Sequence, residues 1–347
     1  MPKAFLLGDV HLGINQSNLD KWLSIHKTYF YDFLIPILEK DYTKGDMIFI
    51  LGNLFDNKSF LDYNVMNFTL TLFNDLENYN IIILGGEIDN THNSPLKILE
   101  KYKNIKIIKA PISFIKFEKN ILLLPYDKLN NQLSELKKHS NVDYLFTHTS
   151  LKGSITKKSS FLDKGLMIND FINCKNIYSS GNHIKQKIDT LNFIGNSFHM
   201  DMGDKDNIKG LTIIDFETSS ESFIENNLTP KFKTIEIITE SDLDKISEEN
   251  ISDTEINFID VIINNSVLNN SKEIKKKLEK ISKKKSIKNI KYVNDTIEKE
   301  ELEFLDDDFS FTTEDLLKEY IKKQISDEKL KAKILNIIDD TIKLSKK

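Results

Sequence analysis

Five short apolar runs, each breaking into glycine or small polar residues, recur through the first 184 residues of this 347-residue chain and limit what it can fold into. Ala4-Phe5-Leu6-Leu7 runs into Gly8-Asp9-Val10-His11-Leu12-Gly13, and Met47-Ile48-Phe49-Ile50-Leu51 into Gly52-Asn53-Leu54-Phe55-Asp56. Ile81-Ile82-Ile83-Leu84 runs into Gly85-Gly86-Glu87-Ile88-Asp89. Tyr144-Leu145-Phe146 leads to Thr147-His148-Thr149, and Ile177-Tyr178-Ser179-Ser180 to Gly181-Asn182-His183-Ile184. Runs this short and apolar are expected to be buried strands, spaced for intervening helices, with C-terminal loops that converge on one site.

The first of these loops carries recognisable chemistry. Asp9 and His11, two residues apart, are expected to project the same way from an extended backbone. A carboxylate and an imidazole on one side make a ligand pair for a divalent transition metal, and Gly8 and Gly13 let the chain turn sharply around them. Asp-x-His also occurs in ordinary loops. The metal reading gains its weight from the later strand ends.

In their order these motifs resemble the calcineurin-like metallophosphoesterases and, within them, the SbcD-type nuclease subunits, above all the short form of T-even phages. That family runs Asp-x-His, Gly-Asp-x-x-Asp, Gly-Asn-His-Asp, a lone His, then Gly-His-x-His. Further landmarks are Leu122-Leu123-Leu124-Pro125-Tyr126, Phe193-Ile194-Gly195-Asn196-Ser197, Lys209-Gly210-Leu211 and Asp215-Phe216-Glu217. The resemblance covers most of residues 1–218 and, more loosely, 312–347. It implies an α/β protein: a two-sheet α/β sandwich metallophosphoesterase domain over 1–218, a small α+β capping domain over 229–294 and a C-terminal helical hairpin.

The same resemblance marks the departures. Asp9, His11 and His148 stand at ligand positions. Asn53 replaces the bridging acid, with Asp56 as the second acid of that motif. Glu87 replaces the Asn ligand, Ile88 the proton-handling His, and Asp89 completes the motif. Asn182 and Ile184 occupy the two His positions of the last motif, with His183 between them and out of register. The family clamps a phosphodiester between two ions about 3.5–4 Å apart. A shared carboxylate offsets the repulsion between two dications; an amide does not. Ile184 has no donor atom and Ile88 cannot transfer a proton. Glu87 is a better hard-cation ligand than an amide, and a one-residue slip would bring His183 inward. The expectation is at most one weakly held Mn2+ among Asp9, His11, Asn53, Glu87, His148, Asn182 and His183, with hydrolysis impaired or lost. The alternative is a rebuilt two-ion site and an active Mn-dependent DNA exo- or endonuclease.

Charge bears on the partner. The net charge is −5 and the chain has no arginine, so all 48 cationic side chains are lysines. Lysine neutralises phosphate as a point charge but lacks the fork that reads guanine edges. Any DNA contact is therefore expected to be backbone-directed and salt-sensitive. No apolar run approaches a membrane span, and with Met1-Pro2-Lys3 leading straight into the first strand no signal peptide is expected. The single cysteine, Cys174, excludes an internal disulfide. A cytoplasmic location, in a bacterium or a phage-infected host, is expected.

Beyond Phe216-Glu217-Thr218 the composition shifts. Ser219-Ser220-Glu221-Ser222 reads as a surface turn. Residues 231–239, 258–263 and 287–293 alternate as half-buried strands, with helices expected over 241–249 and 272–285. Lys275, Lys276, Lys277, Lys283, Lys284 and Lys285 form a solvated helix face or, by analogy with the family's capping domain, a DNA-backbone contact. Residues 295–311 read as an acidic linker. Thr312 and Asp315 make a capping box that opens a hairpin over 312–347. Leu316, Leu317, Tyr320 and Ile321 line its first helix, and Leu330, Ile334, Leu335 and Ile338 its second. These edges either cover the chain's own domain or dock on a partner helix. The resemblance implies the latter, on the coiled-coil base of an SbcC-like SMC-family ATPase, with a homodimer of this chain inside a hetero-oligomer acting on DNA ends.

Overall fold

The computed structural model describes residues 2–14, 19–58, 60–91, 94–156, 160–237, 257–264 and 287–293. The chain divides into two compact units, 1–263 with 267–292, and 264–266 with 293–347. The second contributes only Asn264 and Val293 to the described residues.

Strand β1 (Lys3–Leu7) is buried on both faces from Ala4 to Leu7. A strand apolar on both faces needs a layer on each side. It sits inside a six-stranded sheet of order β12 (Glu221–Glu225), β11 (Gly210–Asp215), β1, β2 (Met47–Ile50), β3 (Ile81–Leu84), β4 (Ile105–Ile108). Strands β1 to β4 are parallel, and β11 and β12 form an antiparallel edge. A second six-stranded sheet has the order β5 (Ile112–Lys116), β6 (Lys119–Leu124), β7 (Val142–His148), β8 (Cys174–Ser180), β10 (Leu191–Phe193), β9 (Gln186–Ile188). Its inner strands β6, β7, β8 and β10 are parallel. The expected turn at 219–222 ends at Ser220, because Glu221 and Ser222 already pair with β11.

Alternation of side chains sorts the core into layers. Ala4, Leu6, Met47, Phe49 and Leu51 face Ile121, Leu123, Tyr144 and Phe146 between the sheets. Phe49 stacks on Phe146 with ring centroids 4.4 Å apart. Phe5, Leu7, Ile48 and Ile50 turn outward onto Trp22 and Ile25 of α1 (Leu19–Lys27) and Leu72 and Phe73 of α3 (Tyr63–Asp75). On the far side, Leu122, Leu145 and Ile177 meet Leu136 of α4 (Leu129–Leu136). This is the two-sheet α/β sandwich that the motif order implies.

Strands β13 (Lys231–Ile237), β14 (Asn257–Asn264) and β15 (Ile287–Val293) form a third sheet. An aromatic stack joins it to the sandwich: Phe258 lies 5.0 Å from Trp22 and 4.8 Å from Phe232, centroid to centroid. The Lys21 ammonium sits 4.0 Å above the Phe258 ring. The helices expected over 241–249 and 272–285, the six lysines of the latter, the acidic linker and the C-terminal hairpin lie outside the described residues. Among the described residues no helix is long and apolar enough to cross a membrane.

Candidate metal centre

The C-terminal ends of β1, β2, β3, β7 and β8 meet at a common site. The expectation of an extended Asp9-x-His11 segment does not hold: Asp9, His11 and Asn53 have φ of 31°, 50° and 47°. Left-handed backbone at three non-glycine residues is costly and persists only where surrounding bonds enforce it. Here the loops after β1 and β2 go on pairing past their strands, through His11 N–H to Asn53 O at 2.9 Å and Leu12 N–H to Leu54 O at 2.7 Å. Gly52, at φ +100°, completes the closure. A Cβ there would lie 2.4 Å from His148 Nδ1, so only glycine lets the two sheets' loops meet.

One half of the pocket is a donor set. Asp9 is fully buried; its Oδ2 accepts from Gly181 N–H at 2.9 Å. His11 Nδ1 is held by Asp56 Oδ1 at 2.7 Å. Its Nε2 stands 3.8 Å from Asp9 Oδ1, buried and without a hydrogen-bond partner. The His183 ring lies 5.5 Å from the His11 ring. One ligand atom each from Asp9, His11 and His183 fall within 4.8 Å of one another. Burial opposes ionisation of Asp9, but His148, His183 and His11 outweigh it and hold the carboxyl below the usual range. Burial likewise opposes protonation of His11, and the Asp56 bond and the Asp9 charge reverse that and raise its pKa. Two imidazoles with one carboxylate suit a divalent transition ion. An imidazole oriented by a second carboxylate is the usual support of such a ligand. An orphaned buried nitrogen needs some partner. The residues present fit one ion.

The other half is closed by an amide. Asn53 Nδ2 donates to Asp9 Oδ1 at 3.0 Å and lies 3.5 Å from His148 Nε2. Asn53 Oδ1 accepts from Ile88 N–H at 3.0 Å, which fixes the amide's orientation. His148 Nδ1 faces Leu51 O at 2.9 Å and Ser180 Oγ at 2.7 Å. A carbonyl can only accept, so Nδ1 carries the proton and Nε2 turns its lone pair to the Asn53 amide. N–H donors thus stand between Asp9 and His148.

No family model matches the chain. It is 24% identical over 239 residues to Exonuclease subunit 1 of Enterobacteria phage T4, a match covering 65% of this chain and 68% of that protein. The two are distantly homologous. Among solved structures, one described as a novel archaeal phosphodiesterase aligns over 65% of this chain and 99% of its own, at 14% identity and a TM-score of 0.36. A protein of unknown function from Aquifex aeolicus aligns over 45% of this chain and 80% of its own, at 19% identity and a TM-score of 0.26.

In this homologue of the phage exonuclease subunit, the remaining sequence candidates have other partners. Glu87 is exposed, and after burial its charge is what raises the pKa of the nearby Tyr126 phenol. Asn182 donates to Ile155 O at 2.9 Å and accepts from Ile184 N–H at 3.0 Å. Asp89 is fully buried and accepts from Gly86 N–H at 2.6 Å, Leu54 N–H at 2.7 Å and Phe55 N–H at 3.4 Å, so it holds the Asn53 loop. His183, the residue one place out of register, is the one that meets Asp9 and His11. Sequence reasoning gave no role to Ser180 behind His148 or to Asn196 behind His183, the latter named only within a landmark, and missed Asp204 beside it. None carries a local signal, since each acts across a loop. Asp56→Ala is expected to weaken Mn2+ or Co2+ binding about 10–100-fold by freeing the His11 ring to rotate. An unchanged affinity in a metal titration would remove His11 from the ligand set.

Proposed function

We propose that this chain is the nuclease-type subunit of a DNA-end-processing complex, and that its pocket holds one divalent ion, Mn2+ in the first instance, where the family holds two. The observation that carries the reading is the buried, unpartnered His11 Nε2 beside Asp9 and His183. Homology to a protein named as an exonuclease subunit supports the subunit role and a partner; by resemblance that partner is an SbcC-like ATPase, gathered with a homodimer of this chain on DNA ends. A bound ion would polarise a phosphoryl oxygen. The chain's own residues do the rest: Asp56 fixes His11, Gly181 N–H fixes Asp9, and Asn53 occupies Asp9's other oxygen. Ile88 offers no proton to a leaving group, a loss that typically costs about 10²–10⁴-fold. Hydrolysis is therefore impaired, and the subunit serves chiefly to bind DNA ends and its ATPase.

The test is a nuclease assay of the purified full chain on linear duplex with Mn2+. Against a typical enzyme turnover of about 10 per second, the expected rate is below about 0.1 per second once the proton donor is lost. Fast turnover that disappears in Asp9→Ala would instead favour the second reading, an active Mn-dependent exo- or endonuclease with a rebuilt site. The presence of His183 in the donor set speaks for that reading.

A further inference from the structure

Behind the pocket lies a charge pair with no part in the chemistry so far. Lys209 Nζ and Asp204 Oδ1 are 2.7 Å apart, and neither side chain is exposed. Taking both charges out of water is costly, and apolar residues in their place are often as stable or more so. Stability alone is therefore a poor reason for the pair. Its other bonds point elsewhere. Lys209 Nζ also donates to His183 O at 2.8 Å and to Asn196 Oδ1. The three N–H groups of an ammonium thus meet three acceptors: His183 O, Asn196 Oδ1 and Asp204 Oδ1.

The consequence falls on His183. With its oxygen turned to the ammonium, the Asn196 amide must present Nδ2 the other way, where it donates to Asp204 Oδ2 at 3.1 Å and meets His183 Nδ1 at 3.3 Å. The Asn196 backbone N–H adds a bond to His183 O at 3.3 Å. The loop approaches so closely that a Cβ on Gly195, at φ +73°, would lie 3.1 Å from His183 O and 3.0 Å from Lys185 N. One buried ammonium thereby fixes the backbone carbonyl of His183 and, through Asp204 and Asn196, the groups that flank its ring; with an ion on Nε2, the Nδ1 proton would face Asp204 Oδ2, 3.9 Å away.

We propose that Lys209, with Asp204 and Asn196, is a positioning group that holds the out-of-register imidazole of His183 against Asp9 and His11 for ion binding. The inference rests on the one-ion reading of that pocket. Lys209→Met keeps the length of the side chain and removes all three N–H donors.

The experiment is a Co2+ titration of the full chain, followed by absorption and calorimetry, with the urea midpoint measured in parallel. The forms compared are the natural chain, Asp9→Ala, His183→Ala, Lys209→Met and the last two combined. His183→Ala and Lys209→Met are each expected to weaken Co2+ binding and to alter its absorption bands, by about 10–100-fold in affinity for the supporting residue. The combined variant is expected to be no weaker than His183→Ala alone, since two residues acting through one contact are non-additive. Should Lys209→Met fail to fold, Lys209→Met with Asp204→Leu removes both charges and carries the same expectation. A lowered urea midpoint with unchanged Co2+ affinity and bands would overturn the inference, as would equal losses with and without His183. If Asp9→Ala abolishes binding and His183→Ala leaves it intact, the one-ion donor set itself is wrong, and the inference fails with it.

Discussion

Asn53→Asp is expected to make the stability of the protein depend on divalent metal. In the natural chain the amide donates to Asp9 Oδ1 at 3.0 Å and faces His148 Nε2 at 3.5 Å, in a pocket where Asp9 is fully buried. The substitution exchanges those N–H donors for a second carboxylate at the same short distance from the first. Leaving a buried charge uncompensated costs about 3–5 kcal/mol, so the variant in chelator should unfold at markedly lower urea than the natural chain. A divalent ion between the two carboxylates and His148 reverses the repulsion. At about 1,000 times its dissociation constant a ligand stabilises by about 4 kcal/mol, enough to restore the midpoint. The number of bound Mn2+ per chain should rise to two. Equal midpoints in chelator, with one ion per chain in both proteins, would sink the idea that Asn53 stands in for an ion.

Asp89→Ala should be equally damaging whether or not metal is present. Its carboxylate is fully buried and receives N–H groups from Gly86, Leu54 and Phe55. Alanine leaves those donors without an acceptor, and an unsatisfied buried donor costs about 1–3 kcal/mol. With some relaxation of the Phe55 contact, the longest at 3.4 Å, a loss of about 4 kcal/mol is expected, a large part of the 5–15 kcal/mol of an ordinary domain. A loss of less than about 1 kcal/mol in urea, with Asn53 still ordered, would show that the loop after β2 is held by other means. The contrast with Asn53→Asp is diagnostic, because added Mn2+ should rescue one variant and not the other.

How much of this was legible in the residues depends on whether the signal is local. The runs around Phe5, Phe49, Ile83, Phe146 and Ile177 each read as strands because two-sided burial leaves a continuous apolar stretch, and each is a strand inside a sheet. The two-sheet sandwich comes from the resemblance carried by the order of the motifs, not from the runs themselves. The candidate centre was legible only as a set of residue types at strand ends. That Asn53 bonds Asp9, 44 residues away, depends on two loops meeting in space. The left-handed backbone of Asp9 and His11 had no sequence signal either, since neither is glycine; it is imposed by the loop after β2. Lys209 stood out as a landmark, but its hold on His183, 26 residues earlier, is a property of the folded loop.

The aromatic stack beneath the third sheet makes the protein its own reporter. Trp22 is the single tryptophan of the chain, and its buried indole lies flat against Phe258 of β14. Indole emission therefore originates at the one described aromatic junction between that sheet and the sandwich. Should the sheet lift away, the indole would meet water and its emission would shift to longer wavelength, while the circular dichroism of the twelve-stranded sandwich stayed as it was. Domain motion and unfolding can be told apart in this molecule without attaching a dye.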